Sequence, residues 1–251
     1  MAEDVKKDIS TADRLAEADP FPFQCRKDLP CFNQCCRDVN IYLTPIDIVE
    51  MRRALGITSS EFLREYTVPL FPREIGHPII VLKMTGPDKA CVFAGEEGCR
   101  VYQARPWSCR SFPLEPDDGR AGNLQFRIVR RDFCRGLGQK ADQNVGQWLE
   151  GQAVAMHEAL NNLWATVTHH PGVDRLNLLE GSRRDVFFLG SYNPDEFRNM
   201  VFNTDFLQYF EVSPDVLERA REDDIELLGL AFRWLRTVLF GDGSLPRKQP
   251  R

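Results

Sequence analysis

Eight cysteines give the chain its clearest capacity for chemistry, and all of them precede residue 135. Thiolates are soft ligands that favour zinc, copper(I) or iron–sulfur clusters, and a site needs about four of them. Four lie within the twelve-residue stretch CRKDLPCFNQCC, which has no CxxC pair of the zinc-ribbon kind. The total is enough for two metal sites. The candidate ligands are Cys25, Cys31, Cys35, Cys36, Cys91, Cys99, Cys109 and Cys134.

Histidine is scarce beside these thiols. None of the four histidines lies within a few residues of a cysteine, so an all-thiolate site is favoured over a mixed one. The lack of CxxC pairs speaks against a zinc ribbon. We therefore expect an iron–sulfur cluster, of the 4Fe-4S type, ahead of Zn²⁺. The histidines are His77, His157, His169 and His170.

The adjacent pair Cys35 and Cys36 raises a question of geometry. If CFNQCC is helical, Cys31 and Cys35 share one face, whereas Cys36 is turned by about 100° from Cys35. Side chains of neighbouring residues also diverge on a strand. We expect that the pair cannot reach one metal without an irregular turn. Two sites, or one ligand with one supporting thiol, are both open.

Five of the cysteines are followed directly by arginine. Clustered thiolates around a metal leave negative charge, which nearby guanidinium groups would stabilise. The alternative is that these arginines face solvent or pair with acidic residues. The five are Arg26, Arg37, Arg100, Arg110 and Arg135.

Composition sets the background for this chemistry. A chain of 251 residues with 43% hydrophobic content can bury a core without disulfide staples. Its start lacks the apolar run of a secretory signal, and no stretch has membrane-spanning length, so we expect a cytoplasmic protein with reduced thiols. Metal or redox chemistry then ranks ahead of disulfides. A net charge of -5 argues against nucleic-acid or anionic-membrane partners.

Local patterns predict an α+β protein. LTPIDIVEMRRALG predicts a helix that is capped by Thr44 and ended by Gly56, and TSSEFLREY predicts a second. IIVLKM, ACVFA and LQFRIVRRD read as strands, the first two joined by a turn at Gly86 and Pro87. From Trp148 to Val167 apolar residues recur as on the buried face of one long helix, and DIELLGLAFRWLRTVLFG predicts a final helix ending at Gly241.

These patterns suggest three parts. Residues 1–20 form a polar lead, residues 21–138 a small cysteine-rich metal-binding domain with short strands and helices, and residues 139–251 a mainly helical domain. The boundary falls in CRGLGQKADQNVG, whose glycines and polar residues have no apolar period.

The order of fixed residues resembles a known family. CxxxCC, then an LTPxDI helix, then CxFxxxxGCxVYxxRPxxCRxFP, is similar to the YkgJ-type cysteine-cluster family, which is described as a zinc- or iron-chelating domain. The pattern spans about residues 21–136, with five residues between Cys25 and Cys31 as a departure. The resemblance implies that all eight cysteines belong to the metal-binding set. Some relatives are flagellin lysine N-methylases, but no glycine-rich S-adenosylmethionine site is evident here.

Three functions remain open from the sequence. The first is a cytoplasmic metal-binding protein that holds an iron–sulfur cluster or zinc. The second is a protein-modifying, methyltransferase-like enzyme or a redox enzyme, with Tyr102, Arg105 and Arg110 as candidate cofactor-binding residues and Asp47 as a further ionisable candidate. Otherwise Tyr102 and Arg105 would only hydrogen-bond carbonyls of the cysteine loops, and Asp47 would only complement a helix dipole. The third is a structural metal site in a module that binds a protein partner.

Overall fold

The computed structural model describes residues 14–117 and 125–248, so residues 1–13 of the polar lead lie outside it. Every described strand precedes residue 129, and helices alone follow residue 144, which confirms the α+β prediction. The strands are β1 (Arg14–Leu15), β2 (Tyr42–Leu43), β3 (Thr67–Leu70), β4 (Ile79–Leu82), β5 (Met84–Thr85), β6 (Ala90–Cys91), β7 (Ala94–Gly95), β8 (Gly98–Cys99), β9 (Leu114–Asp117) and β10 (Gln125–Ile128).

Within the described ranges the strands pair antiparallel in four small sheets. Two have three strands, in the orders β1-β10-β9 and β2-β4-β3. The other two are the hairpins β5-β6 and β7-β8. The central strand β4 is an almost continuous apolar run, IIVL, because it is covered on both faces. Gly86 adopts φ 73° in the turn between β5 and β6, as the sequence predicts.

The helices pack around these sheets and fill the second half of the chain. They are α1 (Pro45–Leu55), α2 (Ser59–Tyr66), α3 (Trp107–Ser111), α4 (Val145–Gly151), α5 (Val154–Thr168), α6 (Gly181–Tyr192), α7 (Pro194–Asn203), α8 (Phe206–Tyr209), α9 (Pro214–Glu222) and α10 (Asp224–Leu235).

Helix α1 forms as its local sequence dictates. Thr44 and Asp47 make a capping box, and Pro45 occupies the first turn, where its missing N–H costs nothing. Gly56 ends the helix in the left-handed conformation, at φ 67°. The last helix likewise runs on through a π-helical turn, Arg236–Phe240, to a left-handed Gly241.

The prediction of a single long helix from Trp148 to Val167 is wrong. The chain forms α4 and α5, and they are separated at Ala153, which has φ 55°. Leu163, expected on the buried face, is 49% exposed. Apolar spacing continues across the break because both helices bury residues beside it, so periodicity could not reveal the interruption.

Two hydrophobic cores hold these elements. The larger joins α1, α2 and β4 with α5, α6, α7 and α10, so it draws on both halves of the chain. The smaller is built from Phe21, Phe23, Leu114, Phe126, Val145, Leu149 and Val154. The division at residues 138 and 139 stays a prediction. Of the helices the structure describes, none is both long and apolar enough to cross a membrane.

Candidate metal centre

An irregular turn brings Cys35 and Cys36 together. Asn33 adopts a left-handed conformation, with φ 63°, and leads into the 3-10 turn Gln34–Cys36. Its side-chain Nδ2 donates to the Gly95 carbonyl at 2.9 Å, which ties the turn to the β7-β8 hairpin. The two sulfur atoms consequently lie 4.0 Å apart. The irregular turn that the sequence requires for this pair to approach one metal is thus present, and it is neither an α-helix nor a strand.

Short hairpins and one short helix bring in the downstream cysteines. Cys91 ends β6, Cys99 ends β8 and Cys109 lies in α3. Gly98 in the β7-β8 hairpin has φ 118°, and a Cβ there would sit 3.3 Å from the Phe32 ring. The hairpin can thus approach the CRKDLPCFNQCC segment closely only with glycine at this position.

Six of the cysteines line one cleft with a volume of about 500 Å³. They are Cys25, Cys35, Cys36, Cys91, Cys99 and Cys109. Cys31 accepts a hydrogen bond from the Arg135 backbone N–H at 3.2 Å, which holds Cys31 next to Cys134. All eight thiols are free. The structure therefore gathers both sequence clusters, while the assignment of each cysteine as a ligand stays a prediction.

The thiols influence one another electrostatically. Burial, followed by the charges of Cys35, Cys31 and Cys134, raises the pKa of Cys25 to about 11. The thiol of Cys36 beside it lowers the pKa of Cys35 to about 7, and the Cys36 pKa rises in return. Cys35 thus lies near thiols of both segments, since its charge acts on Cys25 and on Cys109. Among the cysteines whose pKa is shifted, Cys35 is the most readily ionised.

Burial is the main effect at the remaining shifted thiols. It raises the pKa of Cys109 and then the charges of Cys91, Cys35 and Cys99 raise it further. Burial also raises the pKa of Cys91 and Cys99, against a lowering by Arg100. A bound cation would reverse these shifts, because it stabilises thiolates directly.

The arginines that follow cysteines mostly bind groups other than sulfur. Arg26 pairs with Asp28, and Arg37 pairs with Asp88. Arg100 donates to the Val92 carbonyl. Pairing with acidic residues, the alternative to a role beside the thiolates, thus holds for three of the five, because Arg110 pairs with Glu50. The guanidinium of Arg105, which does not follow a cysteine, partly offsets the burial that raises the pKa of both Cys25 and Cys99.

Tyr102, Arg105 and Arg110 all line the cleft, and the two guanidinium groups already have hydrogen-bond partners. Arg105 stacks on the Tyr102 ring at 3.9 Å and donates to the Tyr102 carbonyl. Arg110 donates to the Arg105 carbonyl at 2.8 Å and to Glu50 Oε2 at 3.0 Å. Their role as cofactor-binding residues stays a prediction.

Gln152 was not expected at this site. It occupies the break between α4 and α5, where its carbonyl accepts from Arg110 at 3.2 Å and its Oε1 accepts from Arg105. A helix continuing through Ala153 would occupy that carbonyl internally. No local pattern marks Gln152, because its partners lie more than forty residues away.

The donor set fits a soft metal. Ser108 Oγ and Trp148 Nε1 are buried, line the cleft and have no hydrogen-bond partner in the described part of the chain. Such donors need an acceptor, which metal-bound thiolate or sulfide would supply. Among residues 14–117 and 125–248, no three potential ligand side chains yet stand within reach of one ion.

Comparisons with known proteins agree with this chemistry. The family model described as "CxxCxxCC: Putative zinc- or iron-chelating domain" matches residues 24–135, somewhat less than half of the chain. No curated protein and no solved structure matches the chain.

Proposed function

We propose that this chain, whose residues 24–135 match the family model described as a zinc- or iron-chelating domain, binds iron through its cysteines as an iron–sulfur cluster. The observation that carries the proposal is the convergence of six free thiols, from two distant segments, on one cleft. Thiolates are the ligands that iron–sulfur clusters take in proteins.

The dimensions of the cleft favour a cluster over a single ion. A volume of about 500 Å³ is several times that of a cavity which accommodates benzene, roughly 150 Å³. Ser108 and Trp148 add unpaired donors to its wall. Hydrogen bonds to cluster sulfur atoms stabilise the anionic cluster and raise its reduction potential. A lone ion surrounded by four thiolates would need neither the space nor the donors.

Zinc is the second candidate, and one distance favours it. Metal–sulfur bonds of about 2.3 Å in a tetrahedral site place two sulfur atoms roughly 3.8 Å apart. The separation of 4.0 Å between Cys35 and Cys36 is close to that value. A 4Fe-4S cluster, by contrast, distributes its thiolates over separate irons. A single zinc or iron ion held by this pair is therefore the competing assignment.

Anaerobic purification of the full chain, with analysis of iron, zinc and acid-labile sulfide, tests the proposal. We expect brown protein with iron and sulfide in similar amounts and a broad absorption band near the visible region. Colourless protein with stoichiometric zinc would establish the second candidate instead. Protein with neither metal would contradict both. A variant with serine at Cys35 and Cys36 controls for metal that adheres without the cysteine cluster.

We also propose that the protein works in the cytoplasm. Eight free thiols in one chain persist where thiols are kept reduced. Separation of cell fractions followed by detection of the native chain tests this. Recovery from an oxidising compartment, with the cysteines paired, would contradict it.

A further inference from the structure

His157, in α5, is enclosed by two carboxylates of α1. Its Nδ1 lies 3.2 Å from Asp47 Oδ1, and its Nε2 lies 3.1 Å from Glu50 Oε2. The side chains of His157 and Asp47 have no exposed surface. Burial would lower the pKa of His157, but the two carboxylates outweigh it and raise that pKa to about 9. The ring is thus a buried cation at neutral pH.

Asp47 connects His157 to α3, the helix that contains Cys109. Its Oδ2 accepts from the Thr44 N–H at 2.8 Å, which begins α1. Its Oδ1 accepts from the Trp107 backbone N–H at 2.8 Å. Trp107 is the first residue of α3, and Cys109 lies two residues further on. One buried carboxylate therefore fixes the start of α3 against α1.

Glu50 holds the same short helix from its other end. Its Oε2 contacts both His157 and Arg110, and Arg110 is the residue after Cys109. Arg110 is 7% exposed and donates to carbonyls of the loop before α3 as well. The carboxylates that bind Trp107 and Arg110, on either side of Cys109, thus both contact the imidazole ring of His157.

We propose that His157 is a positioning residue for Cys109, acting through Asp47 and Glu50 to hold α3 at the wall of the cysteine cleft. This rests on the proposed function in so far as Cys109 is a metal ligand. Groups that orient ligands in this indirect way commonly contribute as much as tenfold to a hundredfold to metal affinity.

The charges explain why a histidine is required. His157 and Arg110 supply two positive charges against those of Asp47 and Glu50, and these four are the ionisable groups that face one another here. Loss of the imidazolium leaves the buried Asp47 carboxylate close to the partly buried Glu50 carboxylate, with a single guanidinium, that of Arg110, paired to Glu50. The two carboxylates would separate, and α3 would lose the anchor that Trp107 and Arg110 share.

The test compares His157→Gln with His77→Gln in the full-length protein. His77 is a matched control because it is 8% exposed and its Nδ1 contacts the Pro78 carbonyl, with no link to α3. Two readouts are taken. Zn²⁺-loaded protein is challenged with a chelator, and metal-free protein is treated with iodoacetamide while each cysteine is followed by peptide mass spectrometry.

We expect His157→Gln to release Zn²⁺ about tenfold faster than wild type. In the metal-free protein it should raise the alkylation rate of Cys109 severalfold and leave Cys91, on another element, unchanged. His77→Gln should change neither readout beyond its effect on overall stability. Equal behaviour of the two variants, or a uniform rise at all cysteines, would reduce His157 to a structural residue and overturn the proposal.

The two readouts also separate this proposal from the proposed function. Wild-type protein that binds no metal refutes the metal centre, yet the selectivity of Cys109 alkylation still decides the role of His157. If His157→Gln does not fold, Glu50→Gln is the milder variant, because Glu50 is 17% exposed and its amide can still accept from Arg110. It should show the same selectivity for Cys109, and its absence would count against the proposal.

Discussion

The sulfur atoms of Cys35 and Cys36 lie 4.0 Å apart, at the end of a turn that begins with the left-handed Asn33. This separation is about twice the length of a disulfide bond, and it suits two ligands of one metal.

Serine substitution of each member of this pair tests whether they share a site. We expect Cys35→Ser and Cys36→Ser each to remove most of the bound metal, and the double variant to lose little more. Ligands of one ion or one cluster act as a unit, so their losses do not add. Metal analysis of the three proteins checks this. Partial losses that sum in the double variant would instead indicate two sites.

The stability of the protein should depend on pH through His157. Its pKa is raised from 6.5 to about 9, so the ion pairs contribute fully below pH 6.5 and are lost as the pH rises to about 9. A tenfold change in proton affinity is worth about 1.4 kcal/mol, so the contribution is roughly 3 kcal/mol at most. The difference in unfolding free energy between wild type and His157→Gln, measured by urea denaturation, should shrink over this pH range.

The contribution of His77 to stability should depend on pH in the opposite direction. Burial is the main cause that lowers its pKa, so the folded state disfavours protonation and stability falls as the pH drops below 6.5. The difference in unfolding free energy between wild type and His77→Gln should therefore widen as the pH rises to 6.5 and stay constant above it. Parallel pH profiles for the two histidine variants would contradict both assignments.

The break between α4 and α5 makes glycine favourable at Ala153. A left-handed conformation costs a residue with a Cβ about 1 kcal/mol, so Ala153→Gly should stabilise the protein or leave it unchanged. The matched control is Ala165→Gly, inside α5, which should cost about 1 kcal/mol. Urea denaturation measures both. Equal destabilisation by the two substitutions would mean that the helix is continuous.

A close approach between α6 and α10 predicts a further effect. A Cβ on Gly190 would lie 2.7 Å from Leu235 Cγ, with the rest of the leucine side chain nearby. Gly190→Ala should cost about 1–3 kcal/mol through overpacking. Adding Leu235→Ala should recover part of that loss, because it removes the clashing atoms. A double-mutant cycle reads out this coupling, and simple additivity would show that the helices are not in contact there.

Local sequence predicts what local interactions determine. Thr44, Pro45 and Gly56 fix the bounds of α1 through capping and backbone geometry within a few residues. The arrangement of Cys35 and Cys36 escaped prediction because Asn33 is held by Gly95, sixty-two residues away. A composition pattern contains no information about such a partner.

The same limit applies to the cleft. Its cysteines were recognisable from residue type and order alone, whereas His157 and Glu50 were not, since their contacts span 107 residues. The one local sign of this pair is a histidine among the apolar residues of α5. A charged side chain on an apolar helical face needs a buried partner of opposite charge. That requirement alone could have identified His157 as a candidate residue of the site.

The acceptors that Gln152 offers to Arg105 and Arg110 lie beyond residue 135, where the family match ends. A fragment ending there keeps every thiol, but each of the two buried guanidinium groups loses one acceptor, and the imidazolium of His157 is absent. The residues that match the family model therefore do not include all of the side chains that line and brace the cysteine cleft.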